Sequence, residues 1–261
     1  MAAARKICAC ILMTLAVMPA AGAADTATEE PLHFCNSHWA PYSYGDARGE
    51  AVGGYAVDFM LEISRRIERP FNLSVLPWLR CMRMAELGEV DGIMLLTENE
   101  ERKRFLNLTI PLLEDENLLW YPKQSPYATE RPNFSDLQGL RIGVVTGFNY
   151  GESFNRAVEE YDLILDEAAS VLSNLRRLDR QWIDVFPVNR TAAEYALYDH
   201  PNLRSRLVAM DGPFEPVGFR LGLAKAGRAA DLTERVNVAI ATMHEDGTIA
   251  DILSREPFEF R

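Results

Sequence analysis

The chain is poor in cysteine, histidine and basic side chains. Its 261 residues include 4 cysteines, 4 histidines, and 27 lysines and arginines against 38 aspartates and glutamates. Each shortage removes a class of function. So acidic a surface repels phosphate backbones, and no basic patch interleaved with aromatics is present, which argues against nucleic acid as a partner. No phosphate-cradling glycine loop, nucleophile elbow or paired-histidine metal motif occurs, so the common nucleotide and hydrolytic chemistries have no support in the sequence. Long apolar runs are lacking too. The stretch ILMTLAVMPAAG near the N-terminus is shorter than the roughly 20 residues a membrane-spanning helix needs, and no later stretch is longer and as apolar.

What is there begins with that stretch. It follows Arg5 and Lys6 and leads to Ala21-Gly22-Ala23, a small-x-small cleavage signal, so residues 1–23 read as an export signal and the mature protein starts near Ala24. Removing the signal leaves 25 basic against 38 acidic side chains, a net charge of −13. Cys8 and Cys10 leave with it. Cys35 and Cys81 remain, in a compartment that favours oxidation, and one Cys35–Cys81 disulfide is the default expectation. The rival is a metal site built from His33, Cys35, His38 and Cys81, although their spacing matches no standard zinc pattern.

The mature chain alternates strand and helix patterns. Leu32–Cys35 reads as a strand and 36–54 as a turn-rich loop, and the spacing of Ala56, Phe59, Met60, Ile63 and Ile67 predicts a helix ended by Pro70. Phe71–Leu76 follows as a strand, Cys81–Leu87 as a helix stopped by Gly88, and Gly92–Leu96 as an apolar strand. A second series has strands at 118–121, 140–145, 163–166 and 184–188 and helices near 153–160, 171–178 and 192–198. A strand over Phe219–Ala224 comes next. Asp231-Leu-Thr-Glu234 reads as a capping box opening a helix to Glu245, and Gly247 separates that helix from a last one. This order predicts parallel strands with right-handed crossovers in two α/β units, with small ligands bound between them at the carboxyl ends of strands. The side chains following those strands are therefore the candidates: His38–Tyr44, Pro77–Arg80, Thr97–Arg104, Thr146–Tyr150 and Pro187–Arg190. Trp39, Tyr42, Tyr44, Trp78 and Arg80 gather aromatic faces and a cation at two of these ends.

Five segments in order resemble the periplasmic solute-binding proteins of the polar amino-acid type, solute-binding family 3. They are HWAPYSYGDARGEAVGGYAVDFMLEI at 38–63, MAELGEVDGIM at 84–94, TENEERKRFLNLTIP at 97–111, LQGLRIGVVTG at 137–147 and VNVAIATMHEDGTIADIL at 236–253. The resemblance implies an α/β, two-lobed periplasmic-binding-protein fold (type II), with two Rossmann-like lobes joined by a two-strand hinge. Lobe 1 would be 24–113 plus 217–261 and lobe 2 would be 114–216, hinged near 114–117 and 215–218. It implies a monomer in the periplasm that captures a small carboxylate-bearing solute, an amino acid or a derivative, for the permease of an ABC importer, with no cofactor and no catalysis.

Residue by residue, the resemblance puts Arg102 on the ligand carboxylate, helped by Thr97 five residues earlier, with Arg104 as its solvated neighbour. The planar guanidinium fork suits a carboxylate in a way that lysine does not. From the second lobe it takes Gly147, Phe148 and Asn149, after a turn at 146–149 read as a helix start that favours an anion. Asn189 stands where family members that bind amino acids carry an aspartate for the ammonium, and Leu95 where they often carry a serine. Either the solute is not an ordinary α-amino acid, or another carboxylate such as Asp58 or Glu194 substitutes. Asp58 can equally cap its helix. Proteins resembling this family also act as cyclohexadienyl dehydratases, for which Glu114, Asp115 and Glu116 are candidate acids. Others accompany quinoprotein dehydrogenases or form sensor-kinase input domains, and the departures at 95 and 189 suit such repurposing.

Overall fold

The computed structural model describes residues 30–255; the export signal expected over 1–23 lies outside them. The first lobe opens with β1 (Leu32–Asn36), a small hairpin of β2 (Tyr44–Gly45) and β3 (Ala51–Gly53), and α1 (Tyr55–Arg66). In α1 the apolar stripe Ala56, Phe59, Met60 and Ile63 is fully buried, and Arg65 lies outside it in water. Then come β4 (Phe71–Val75), α2 (Trp78–Leu87), β5 (Gly92–Thr97), α3 (Glu100–Phe105), β6 (Leu106–Leu108) and β7 (Leu113–Asp115).

The second lobe contains β8 (Asn117–Pro122), β9 (Arg141–Val145), α4 (Glu152–Glu160), β10 (Ile164–Ala168) and α5 (Val171–Asp179). It continues through β11 (Phe186–Asn189), α6 (Arg190–Tyr198), the short α7 (Pro201–Arg204) and β12 (Leu207–Asp211). The chain returns to the first lobe with β13 (Val217–Ala224) and closes with α8 (Thr233–Glu245) and α9 (Thr248–Ser254).

The first sheet has the order β4-β1-β5-β13-β6, with β7 also paired to β13. Strands β1, β4 and β5 are parallel, as the alternating pattern predicts, whereas β13 runs antiparallel to β5, β6 and β7. All six residues of β5 are buried, which is why it reads as an unbroken apolar run. In the second lobe β8 lies between β11 and β12, antiparallel to both, and β9 pairs in parallel with β10. A parallel bridge between Ile142 and Val185 ties the two groups together. The chain passes between the sheets twice, from Asp115 to Asn117 and from Asp211 to Val217. One apolar cluster runs through both lobes, from Phe34, Phe59 and Met94 to Val188, Ala192 and Leu197. Separate clusters fill the space around Phe154 in the second lobe and around the two cysteines in the first.

Three local expectations are corrected. Residues Ala230–Leu232 wind into a 3-10 turn, so Asp231 caps nothing and α8 starts at Thr233 without a side-chain cap. Helix α2 starts at Trp78 rather than Cys81, because Pro77 fits the position just before a helix and places Trp78 in the first turn. Helix α4 starts at Glu152, several residues after the turn at 146–149. Strand β12 has no counterpart in the sequence reading, its apolar run being too short to stand out.

Candidate functional site

Between the lobes lies a cavity of about 50 Å³, lined by Trp39, Trp78, Leu95, Thr97 and Arg102 from one side and by Gly147, Phe148, Asn149, Val188 and Asn189 from the other. The side chain that dominates it is Arg102. Asn99 caps α3 by accepting from the backbone N–H of Arg102 at 2.8 Å, which fixes where that side chain leaves the helix. The Nη1 group donates to the Thr97 carbonyl at 2.6 Å and to its hydroxyl at 2.8 Å, and Nη2 reaches the Gly147 carbonyl at 3.5 Å. The guanidinium also lies 5.2 Å from the Trp78 ring. Only 5% of Arg102 is exposed, and burial pushes its pKa down to about 10, with Glu101 acting weakly in the other direction. It is charged at neutral pH, and no ion pair to it forms among the described residues.

Thr97 makes the same demand. The Thr97 hydroxyl accepts from Arg102 and, at 3.0 Å, from the Asn149 amide, so both of its lone pairs are used and its proton is free for a third partner. Trp39 packs 4.3 Å from Tyr42, 5.3 Å from Phe219 and 5.6 Å from Phe148, measured between ring centroids. Its indole N–H is buried without an acceptor. Arg102 and Thr97 thus keep donor hydrogens without an acceptor at the cavity, whereas no carboxylate lines it.

Direct contacts hold the lobes together around this space. Asn149 donates to Thr97 and, at 2.9 Å, to the Glu98 carbonyl, while the Trp78 indole donates to the Gly147 carbonyl at 3.0 Å. Gly147 has φ +77°, and a Cβ there would lie 2.6 Å from the Trp78 ring. The turn at 146–149 does not offer the helix-start amides expected of it. The Phe148 N–H is spent on the Val145 carbonyl at 3.0 Å, and the helix begins only at Glu152.

Asn189, at the end of β11, gives both hydrogens of its amide away from any ligand. One goes to the Tyr42 hydroxyl at 2.8 Å and one to the Asp115 carboxylate at 2.7 Å. Tyr42 itself donates to the same carboxylate oxygen at 2.8 Å. Burial first, and then the charge of Asp115, push the Tyr42 phenol well above its usual pKa, so it stays protonated and remains a donor. The orientation of the amide follows from chemistry, since a carboxylate can only accept.

Arg102, Thr97, Trp39, Trp78, Gly147, Phe148, Asn149 and Asn189 thus line one cavity. Tyr42 does not; it lies behind Trp39 and Asn189. Arg80 lies exposed on α2 away from the cavity, and Arg104 is exposed on α3. Asp58 neither caps α1 nor approaches the cavity: it pairs with Arg255 at 2.9 Å, and Glu194 is exposed on α6. Glu114 and Glu116 are exposed, Glu116 pairing with Arg190 at 3.1 Å. Asn36, Ser37, Asn117, Val217 and Phe219 also line the cavity. Asn36 and Ser37 sit at a strand end already singled out, and Phe219 is inside a strand where nothing in the sequence marks it. Cys35 and Cys81 form a disulfide with Cα atoms 5.8 Å apart, which removes the sulfur ligands of the rival metal site. The bridge ties the end of β1, next to the Ser37–Trp39 segment, to the first turns of α2, which carry Trp78.

Two α/β lobes linked by paired crossovers and closed over a cavity make this a periplasmic-binding-protein fold. The chain belongs to the bacterial extracellular solute-binding proteins, family 3, whose family model matches residues 34–256. Among curated protein sequences none matches significantly. Solved structures share the fold at low identity. An ancestral arginine-binding protein bound to arginine superposes with a TM-score of 0.72 at 17% identity, covering 86% of this chain and 97% of its own. The arginine-, lysine-, histidine-binding protein ArtJ from Geobacillus stearothermophilus gives 0.72 at 18%, covering 87% and 94%. A histidine kinase sensor domain similar to periplasmic binding proteins gives 0.73 at 18%, covering 87% and 95%.

Proposed function

We propose that this protein is a monomeric periplasmic receptor that captures a small carboxylate-bearing solute and delivers it to the permease of an ABC importer. The observation that carries the reading is Arg102: an ionised guanidinium, buried at the cavity, in no ion pair among the described residues and with two of its five N–H groups unanswered. A buried ion without a partner is costly, and a bound carboxylate answers it with charge-assisted bonds. The unanswered Thr97 hydroxyl supports the same ligand chemistry, as does membership of a solute-binding family. The export signal at 1–23 supports the periplasmic location. The lobes would correspond to 24–113 with 217–261 and to 114–216, moving about the two crossovers.

Thermal melts of the mature protein with small carboxylates test this. A ligand at 100 times its Kd adds about 2.7 kcal/mol to stability. The expected result is a raised melting temperature with carboxylates and none with Arg102→Ala. If no carboxylate shifts the wild-type protein, the transport reading fails, and a protein partner, as in sensor or accessory domains of this fold, becomes the better account.

A further inference from the structure

The geometry points to a solute that carries a carboxylate but no charged amine and has two to four carbons, with Asn189 as the residue that excludes the amine. This rests on the carboxylate-binding reading above and narrows it. A ligand holding both a carboxylate and an ammonium needs a cation beside one end and an anion beside the other, because each buried charge must be compensated. The cavity offers the first and not the second. Its lining contains Arg102 and no carboxylate; the other polar side chains there are neutral amides and hydroxyls.

The anion behind the Asn189 wall is Asp115, and it is screened. Asn189 lies between it and the cavity, bonded to the carboxylate at 2.7 Å, and Tyr42 bonds the same oxygen at 2.8 Å. A third contact, from the Glu116 backbone N–H at 2.8 Å, holds its other oxygen. What Asn189 leaves for a ligand is its amide oxygen, a neutral acceptor that suits a hydroxyl and cannot neutralise an ammonium. An aspartate at 189 would set two carboxylates against each other at that distance, so the amide at 189 and the acid at 115 form a matched pair. Size points the same way. About 50 Å³ holds roughly four water molecules, which is space for a short carboxylate between the apolar faces of Trp39, Leu95, Phe148 and Val188.

Lactate and alanine are the informative probes, since they share a skeleton and differ in hydroxyl against ammonium. In calorimetric titrations of the full mature protein, lactate and propionate are expected to bind at least tenfold more tightly than alanine, and hexanoate at least tenfold more weakly than propionate. The exchange Asn189→Asp with Asp115→Asn moves the carboxylate to the cavity wall, and it is expected to reverse the lactate–alanine order. Circular dichroism melts confirm that the doubly substituted protein is folded. Alanine binding the wild type as tightly as lactate overturns the inference while leaving the carboxylate reading intact. An unchanged order in the folded exchange variant overturns the role of Asn189. Failure of every carboxylate, amine-bearing or not, removes the proposed function itself and this inference with it.

Discussion

Arg102 is the residue on which the proposed function rests. Its neighbours give it hydrogen bonds and a ring face but no direct ion pair among the described residues, and burial, only partly offset by the charge of Glu101, lowers its pKa from the usual value to about 10. The sign of the consequence is definite. Below about pH 10 the guanidinium is charged and can hold a carboxylate. Above it, the folded protein releases a proton that the unfolded chain, with its ordinary arginine pKa, still keeps. Carboxylate affinity is therefore expected to be level from pH 6 to 9 and to weaken above about 10, while the ligand-free protein is relieved of a destabilising charge over the same range. Titration calorimetry across that range checks the first part; affinity falling already between pH 7 and 9 would show that some other group controls binding. The Thr97–Arg102 pair, five residues apart, is legible in the sequence through the family resemblance, whereas the Asn99 cap emerges only in the structure. The role of Asn189 is not, since its partners Tyr42 and Asp115 are 147 and 74 residues away.

At the scale of elements, the site depends on where strands stop. Strand β9 ends at Val145, and the turn that follows brings Gly147 against Trp78 in the first turn of α2. The disulfide holds that turn to the end of β1 and closes a stretch with a sequence separation of 46; on the chain-entropy account such a bridge is worth about 4 kcal/mol. Replacing Gly147 by alanine meets two obstacles: a positive φ, and a Cβ 2.6 Å from the indole of the opposite lobe. The strain costs the second lobe on the order of 1 kcal/mol. On the proposed hinge motion, the clash acts only in the closed arrangement. Gly147→Ala is therefore expected to weaken carboxylate binding at least tenfold while the melting temperature of the ligand-free protein drops by only a few degrees. Equal losses in both would mean that the turn serves stability alone. The strands and helices around this turn follow from local pattern, but their ends do not. Pro77, for example, moves the start of α2 back to Trp78.

For the whole molecule, an ionic cluster joins the first helix of the chain to the last two, away from the cavity lining. Arg66 on α1 reaches Glu62 at 2.6 Å on its own helix, and Asp246 and Thr248, each at 2.8 Å, at the junction of α8 and α9. The Arg65 hydrogen bond, with Arg66 behind it, holds Glu62 down to about 2, and the Thr248 hydroxyl and backbone N–H, again with Arg66, hold Asp246 at about 2. Carboxyls depressed in the folded state stabilise it above their unfolded pKa and lose that contribution as the pH falls through the folded value. The melting temperature is thus expected to decline between about pH 4.5 and 2, and Glu62→Gln should flatten part of that decline while slightly lowering stability at pH 7. Scanning calorimetry at several pH values decides it: an unchanged slope in the variant would remove Glu62 from the acid response.

The sequence by itself determined the export signal as an expectation, the alternation of strands and helices, and the pairing of the two remaining cysteines, while Arg102 came forward only through the family resemblance. The local ones are short-range properties: a 3.6-residue period, an apolar run, a count of two. The tertiary structure decided the antiparallel return of β13, the placement of Phe219 and Asn36 on the cavity, and the exclusion of Arg80, Asp58 and Glu194 from it. It also decided that Asp115 is covered by Asn189 and Tyr42. The reason is physical. Whether a charge faces a ligand or another side chain depends on residues brought together from both lobes, and no local pattern records that distance.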